Sequence, residues 1–89
     1  MEMAKYILSI FRTQPIVVFS WGFHSPQRLP DDKGLRFQVE GFKYQGTVEV
    51  VYVEGKDLFE VRLINNGTKV EDVYLDNLVN VIDGMVETI

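Results

Sequence analysis

The 89-residue sequence predicts an α+β domain: an N-terminal helix, an antiparallel β-meander of four to five strands, and a C-terminal amphipathic helix, with both helices on one sheet face. Three observations predict it. Apolar residues recur at helical spacing at both ends of the chain; they alternate with polar ones through the middle; and the alternating runs are separated by short turns containing glycine, which join hairpins and not crossovers. Two one-sided helices and a sheet with one apolar face bury the most surface when the helices cover that face.

The first helix is expected over residues 2–12, where Met3, Ile7, Ile10 and Phe11 share a side. Glu2 lies near its start and Arg12 near its end, as the helix dipole prefers. Pro15 closes anything helical. The continuous apolar run Ile16–Trp21, rich in β-branched and aromatic residues, reads at this length as a buried strand. A long connection, Gly22–Gly34, follows. Leu35, Phe37 and Val39 then alternate with Arg36, Gln38 and Glu40, and the parity flips past Gly41, which signals a bend or bulge. Gln45-Gly46 reads as a turn. Val48, Val50 and Tyr52 alternate against Glu49, Val51 and Val53, and residues 54–57 turn the chain again. Phe59, Val61 and Leu63 set against Glu60 and Arg62 make the next strand, closed by Asn65-Asn66-Gly67. An exposed glutamate opposite Arg62 gives a cross-strand pair, and one sheet face is expected in water. Residues 68–72 suit a charged edge strand. From Asp72, a suitable N-cap, the period changes to helical: Leu75, Leu78, Val79, Ile82, Met85, Val86 and Ile89 form one stripe.

Composition narrows function by exclusion. At 46% hydrophobic and 25% charged the chain is globular and not disordered, and its length suits a single domain, residues 1–89, burying about 60 to 65% of its unfolded surface. Without cysteine it has no disulfide, thiol nucleophile or thiolate metal site. No stretch resembles a signal peptide or a membrane span, so cytoplasm is the default location and no membrane partner is expected. Residues 1–44 carry six Lys/Arg against four Asp/Glu, and residues 45–89 three against nine. The acidic second half repels phosphate backbones and disfavours nucleic acid.

Residues 21–34 hold the residue types of a hydrolytic triad in His24, Ser25, Asp31 and Asp32. Adjacency argues against one. Successive side chains on an extended backbone point apart, so a hydrogen bond between His24 and Ser25 needs an unusual local bend. Zinc-type ligand spacing and phosphate-cradling glycine patterns are both missing, and Pro30-Asp31-Asp32-Lys33-Gly34 reads as turn chemistry. No enzyme activity and no cofactor are therefore expected.

Recognition remains. Trp21, Phe23, His24, Arg28, Lys33 and Arg36 place aromatic and basic groups in or beside the 13-residue connection, which is long against a usual length of about 4 to 6. The competing reading keeps Trp21 in the core at a strand end, Phe23 under the loop and Arg28 in solvent. The expectation is a small non-enzymatic accessory or protein-interaction domain. Its candidate partners are another protein or a second copy of the chain, the latter motivated by outward Val51, Val53 and Ile64. A single-stranded nucleic-acid module using the same aromatic and basic residues is the alternative.

Overall fold

Alternation sets the register of the sheet, and every alternating run of the sequence is a strand. The computed structural model describes residues 2–87. Its helices are α1 (Met3–Phe11), α2 (Pro15–Ser20) and α3 (Leu78–Val86). The strands are β1 (His24–Arg28), β2 (Gly34–Glu40), β3 (Gln45–Val53), β4 (Leu58–Leu63) and β5 (Thr68–Val73), with 3-10 turns at Pro30–Asp32 and Leu75–Asn77. The five strands form one antiparallel sheet in sequence order.

Leu35 opposes Val50 and Val50 opposes Val61; Phe37 opposes Val48 and Val48 opposes Leu63. All of these are buried, on one face. Ala4, Ile7 and Phe11 of α1, and Leu78, Val79, Ile82 and Val86 of α3, join them in a single core. Burying each such aliphatic side chain is worth about 1.5 to 3 kcal/mol, which is what holds the helices to the sheet. The two helices therefore lie on one sheet face, as the pattern predicts.

The opposite face is polar and internally paired. Arg36 places Nη2 and Nε at 2.7 and 2.8 Å from one carboxylate oxygen of Glu49. Thr47 donates to Gln38 at 3.1 Å. Arg62 stands opposite Glu49 in the ladder but pairs instead with Glu60 of its own strand, which is only 6% exposed. The cross-strand partner expected for Arg62 is thus taken by Arg36.

Four local expectations are corrected. Residues 16–20 are not a strand: Pro15 occupies the first turn of α2, where its missing N–H costs nothing and its fixed φ suits a helix. A short apolar run carries no period of its own, so length and composition misassigned it. The 22–34 connection is not all loop; it contains β1, whose residues are all exposed and which includes Pro26, a combination confined to sheet edges. The turn is at residues 41–44, and Gln45-Gly46 already pair with β2. Gly41 is required there, because a Cβ would stand 2.2 Å from the Val86 carbonyl oxygen at the end of α3. Finally, Asp72 caps no helix. Its neighbour Val73 pairs with Phe59, so the ladder claims this segment, and α3 begins only after the 3-10 turn. Ile89, expected on the α3 stripe, lies outside the described residues.

Candidate functional site

Trp21 is fully buried. Its indole stacks near Phe37 and meets Phe11 edge-on at 5.6 Å, and its Nε1–H donates to Asp83 of α3 at 2.9 Å. Its carbonyl accepts from Glu40 N–H at 2.7 Å. It is an anchor and no part of an exposed surface. The other five residues singled out from the sequence do not converge. Phe23 is half-buried against Phe11 and Phe37. Arg36 lies on the opposite sheet face with Glu49. Arg28 is 3.6 Å from Glu2, and Lys33 sits in the turn before β2 with no ion pair among the described residues. No aromatic and basic platform is assembled.

His24 and Ser25 do meet. Ser25 adopts φ 56°, the bend that adjacency requires, and His24 Nδ1 stands 3.0 Å from Ser25 Oγ. On the far side of the ring, Nε2 is 3.4 Å from Glu40 Oε2, so serine, imidazole and carboxylate are in line. The row lies open, with the histidine and glutamate side chains 50% and 71% exposed. The residue after Ser25 is Pro26, which has no N–H to offer a developing oxyanion. Among the described residues no cluster of three or more His, Asp or Glu side chains is arranged to hold a metal ion.

One concavity, of about 610 Å³, is lined by Glu2, Arg28, Leu29, Pro30, Asp31 and Asp32. Its polar groups face one another: Arg28 pairs with Glu2, and Asp32 accepts the Met3 N–H at 2.6 Å. A second, apolar concavity of about 400 Å³ lies between α1, α2 and β1, walled by Leu8, Phe11, Val18, Phe19, Phe23 and Pro26. Beside it, α2 buries none of its six residues. Ile16 and Phe19 are 85% and 86% exposed. A helix this apolar ordinarily goes inside; here Val17 and Val18 are half-buried against the core and Trp21 anchors its end, while Ile16 and Phe19 stay in water.

The sequence pattern does not single out Ile16 and Phe19, because an apolar run of this length reads as a buried strand. Pro15, placed where a helix starts, was the available signal. The outward positions Val51 and Val53 are half-buried, and Ile64 is exposed alone in the β4–β5 turn.

Among the described residues two titratable groups depart from their ordinary values, and neither lines the apolar concavity beside α2. Tyr52 is raised, first by its hydrogen bond to Asp57; Lys56 is raised, first by its hydrogen bond to Asp72. No helix among the described residues is long and apolar enough to cross a membrane. Compared with known proteins, the chain matches no family model, no curated protein and no solved structure.

Proposed function

We propose that this chain is a non-enzymatic protein-interaction domain whose contact surface is α2 together with the adjoining groove. The observation that carries the reading is α2 itself, a six-residue apolar helix with no buried residue and with Ile16 and Phe19 pointing into water. Contiguous exposed apolar surface marks contact sites, and aromatic side chains beside a preformed pocket are the usual anchors of interfaces. A rigid core supports the patch: Phe11 and Phe23, which wall the groove, both pack on Phe37.

The geometry of the polar residues favours the same reading over catalysis. The Ser25–His24–Glu40 row has neither a water-excluding pocket nor a backbone donor at residue 26, and those supply most of the rate enhancement in acyl transfer. A nucleic-acid module would need Trp21 as a stacking platform, and Trp21 is in the core.

A photo-crosslinking amino acid placed at position 19, with the also exposed position 42 as control, tests the proposal in living cells. Discrete protein adducts at 19 and none at 42 are expected. Identical patterns at the two positions would remove α2 as a contact surface.

A further inference from the structure

The apolar groove beside α2 does not stop at Pro26. A second concavity of about 210 Å³ shares Leu8 and Pro26 with it and continues between α1 and β1 over Ala4 and Leu35. Together they make one trough along the outer side of α1. Arg12 lines the α2 end and Lys5 the middle. Both are exposed, and neither has an ion-pair partner among the described residues. The third cation, Arg28, is tied to Glu2, and beyond it the acidic turn Asp31-Asp32 begins. The unpaired charge on the trough is therefore positive and sits along its Lys5–Arg12 stretch.

The form of an occupant follows from β1. An extended segment lying here would seek the free edge of β1, but Pro26 offers no N–H, Ser25 is left-handed at φ 56°, and the register shifts between His24 and Gln27. Strand addition is blocked. A helix satisfies its own backbone and needs only side-chain pockets, which the trough provides in series. α1 spans nine residues, about 13 Å of axis, room for roughly two and a half turns alongside it.

Resting on the interaction reading above, we infer that the α1–α2–β1 trough binds an acidic amphipathic helix of a partner protein, its apolar stripe in the trough and its carboxylates against Lys5 and Arg12. A second copy of this chain placed face to face would bring these cations near their own copies, which opposes a twofold contact. A bilayer surface could cover Ile16 and Phe19, but it would leave the concave trough unfilled.

The test is a display library of helical peptides of about 14 residues, apolar at i, i+4 and i+7 and randomised elsewhere, selected on the wild-type protein and counter-selected on the Ile16→Ser/Phe19→Ser variant. Survivors rich in Asp and Glu beside the apolar stripe are expected. A synthetic survivor should bind about tenfold more weakly to Lys5→Glu/Arg12→Glu, its fold checked against wild type by circular dichroism and melting, and more weakly in high salt. Neutral or basic survivors overturn the inference and leave the contact surface standing. No survivor that separates wild type from the α2 variant overturns both. A dimer in sedimentation that the α2 variant abolishes makes a second copy the occupant. Binding to anionic phosphatidylserine vesicles, without any peptide survivor, makes it a membrane.

Discussion

Replacing Ile16 and Phe19 together with serine should leave the domain almost as stable as before, although it deletes two of the largest apolar side chains outside the core. The two are 85% and 86% exposed, so only about 15% of each is removed from water on folding. With full burial of such a side chain worth about 1.5 to 3 kcal/mol, that fraction gives roughly 0.2 to 0.5 kcal/mol per residue. Serine and phenylalanine have similar helix propensities, so the backbone contributes little more. The double variant should lose less than about 1 kcal/mol, which for a domain of this size lowers the melting temperature by less than roughly 4 to 8 °C. Phe11→Ala is the internal control. Phe11 is 3% exposed and contacts Trp21, Phe23 and Phe37 edge-on or nearly so, and its loss should cost about 3 to 5 kcal/mol. Urea titrations followed by far-ultraviolet circular dichroism, with unchanged slope, measure both. A loss above about 2 kcal/mol for the α2 pair would mean that Ile16 and Phe19 pack in the free chain, and the argument for a waiting surface would fail.

Three further outcomes follow from other parts of the molecule. Trp21→Phe removes the indole hydrogen bond to Asp83 and should cost about 1.5 to 3 kcal/mol beyond the lost volume; a double-mutant cycle with Asp83→Ala, which leaves no acceptor, that shows no coupling would sever the tie between α2 and α3. Ser25 should not react with a fluorophosphonate probe under conditions that label serine hydrolases, because Pro26 offers no oxyanion donor; labelling that Ser25→Ala and His24→Ala both abolish would reinstate a catalytic reading. Tyr52 should ionise above its ordinary value of 10.0, since its O–H donates to Asp57 at 2.5 Å beside that residue's negative charge. Because the folded-state value is the raised one, the stabilisation it reports is complete below pH 10 and is lost as pH rises from there through the raised folded-state value. Asp57→Asn, which tolerates the φ of 55° at this position, should move the tyrosinate absorbance transition back toward 10; an unmoved transition contradicts the assignment.

The parts of the fold that were legible in the sequence are those with one dry face and one wet face. Leu35-Phe37-Val39 and Phe59-Val61-Leu63 alternate because each second residue meets the core, and the α3 stripe repeats because one side of that helix meets the same core. Elements lacking that contrast left no period to find. His24–Arg28 is exposed at every position, so β1 looks like loop, and its pairing with β2 is carried by backbone groups that any sequence has. Residues 15–19 are apolar on every side of a helix, and a run apolar on every side is what a buried strand also looks like. The bend at Ser25 was equally invisible, and with it the meeting of His24 and Ser25. A non-glycine residue in the left-handed region depends on its surroundings more than on its own preference.

Why a partner should meet this chain at α2 follows from what the rest of the surface withholds. Both sheet edges are blunted, β1 by Pro26 and a register shift, β5 by Lys69, Glu71 and Asp72 with an irregularity opposite Phe59–Val61. On the uncovered sheet face, Arg36 with Glu49, Arg62 with Glu60 and Thr47 with Gln38 already satisfy one another, so a partner would have to break those pairs to displace their water. Phe42 and Tyr74 are exposed singly, whereas Ile16 and Phe19 of α2 stand together beside an apolar groove, with no hydrogen bond to break. Yet Ile16 and Phe19 fully covered supply about 3 to 6 kcal/mol, which barely meets the cost of about 4 kcal/mol or more for lost translational and rotational freedom. Covering the two side chains is therefore too little for a tight complex. The remaining free energy has to come from filling the trough walled by Leu8, Phe11 and Phe23 and from neutralising Arg12 and Lys5. This is why the trough, and not the protruding helix alone, sets what the partner must look like.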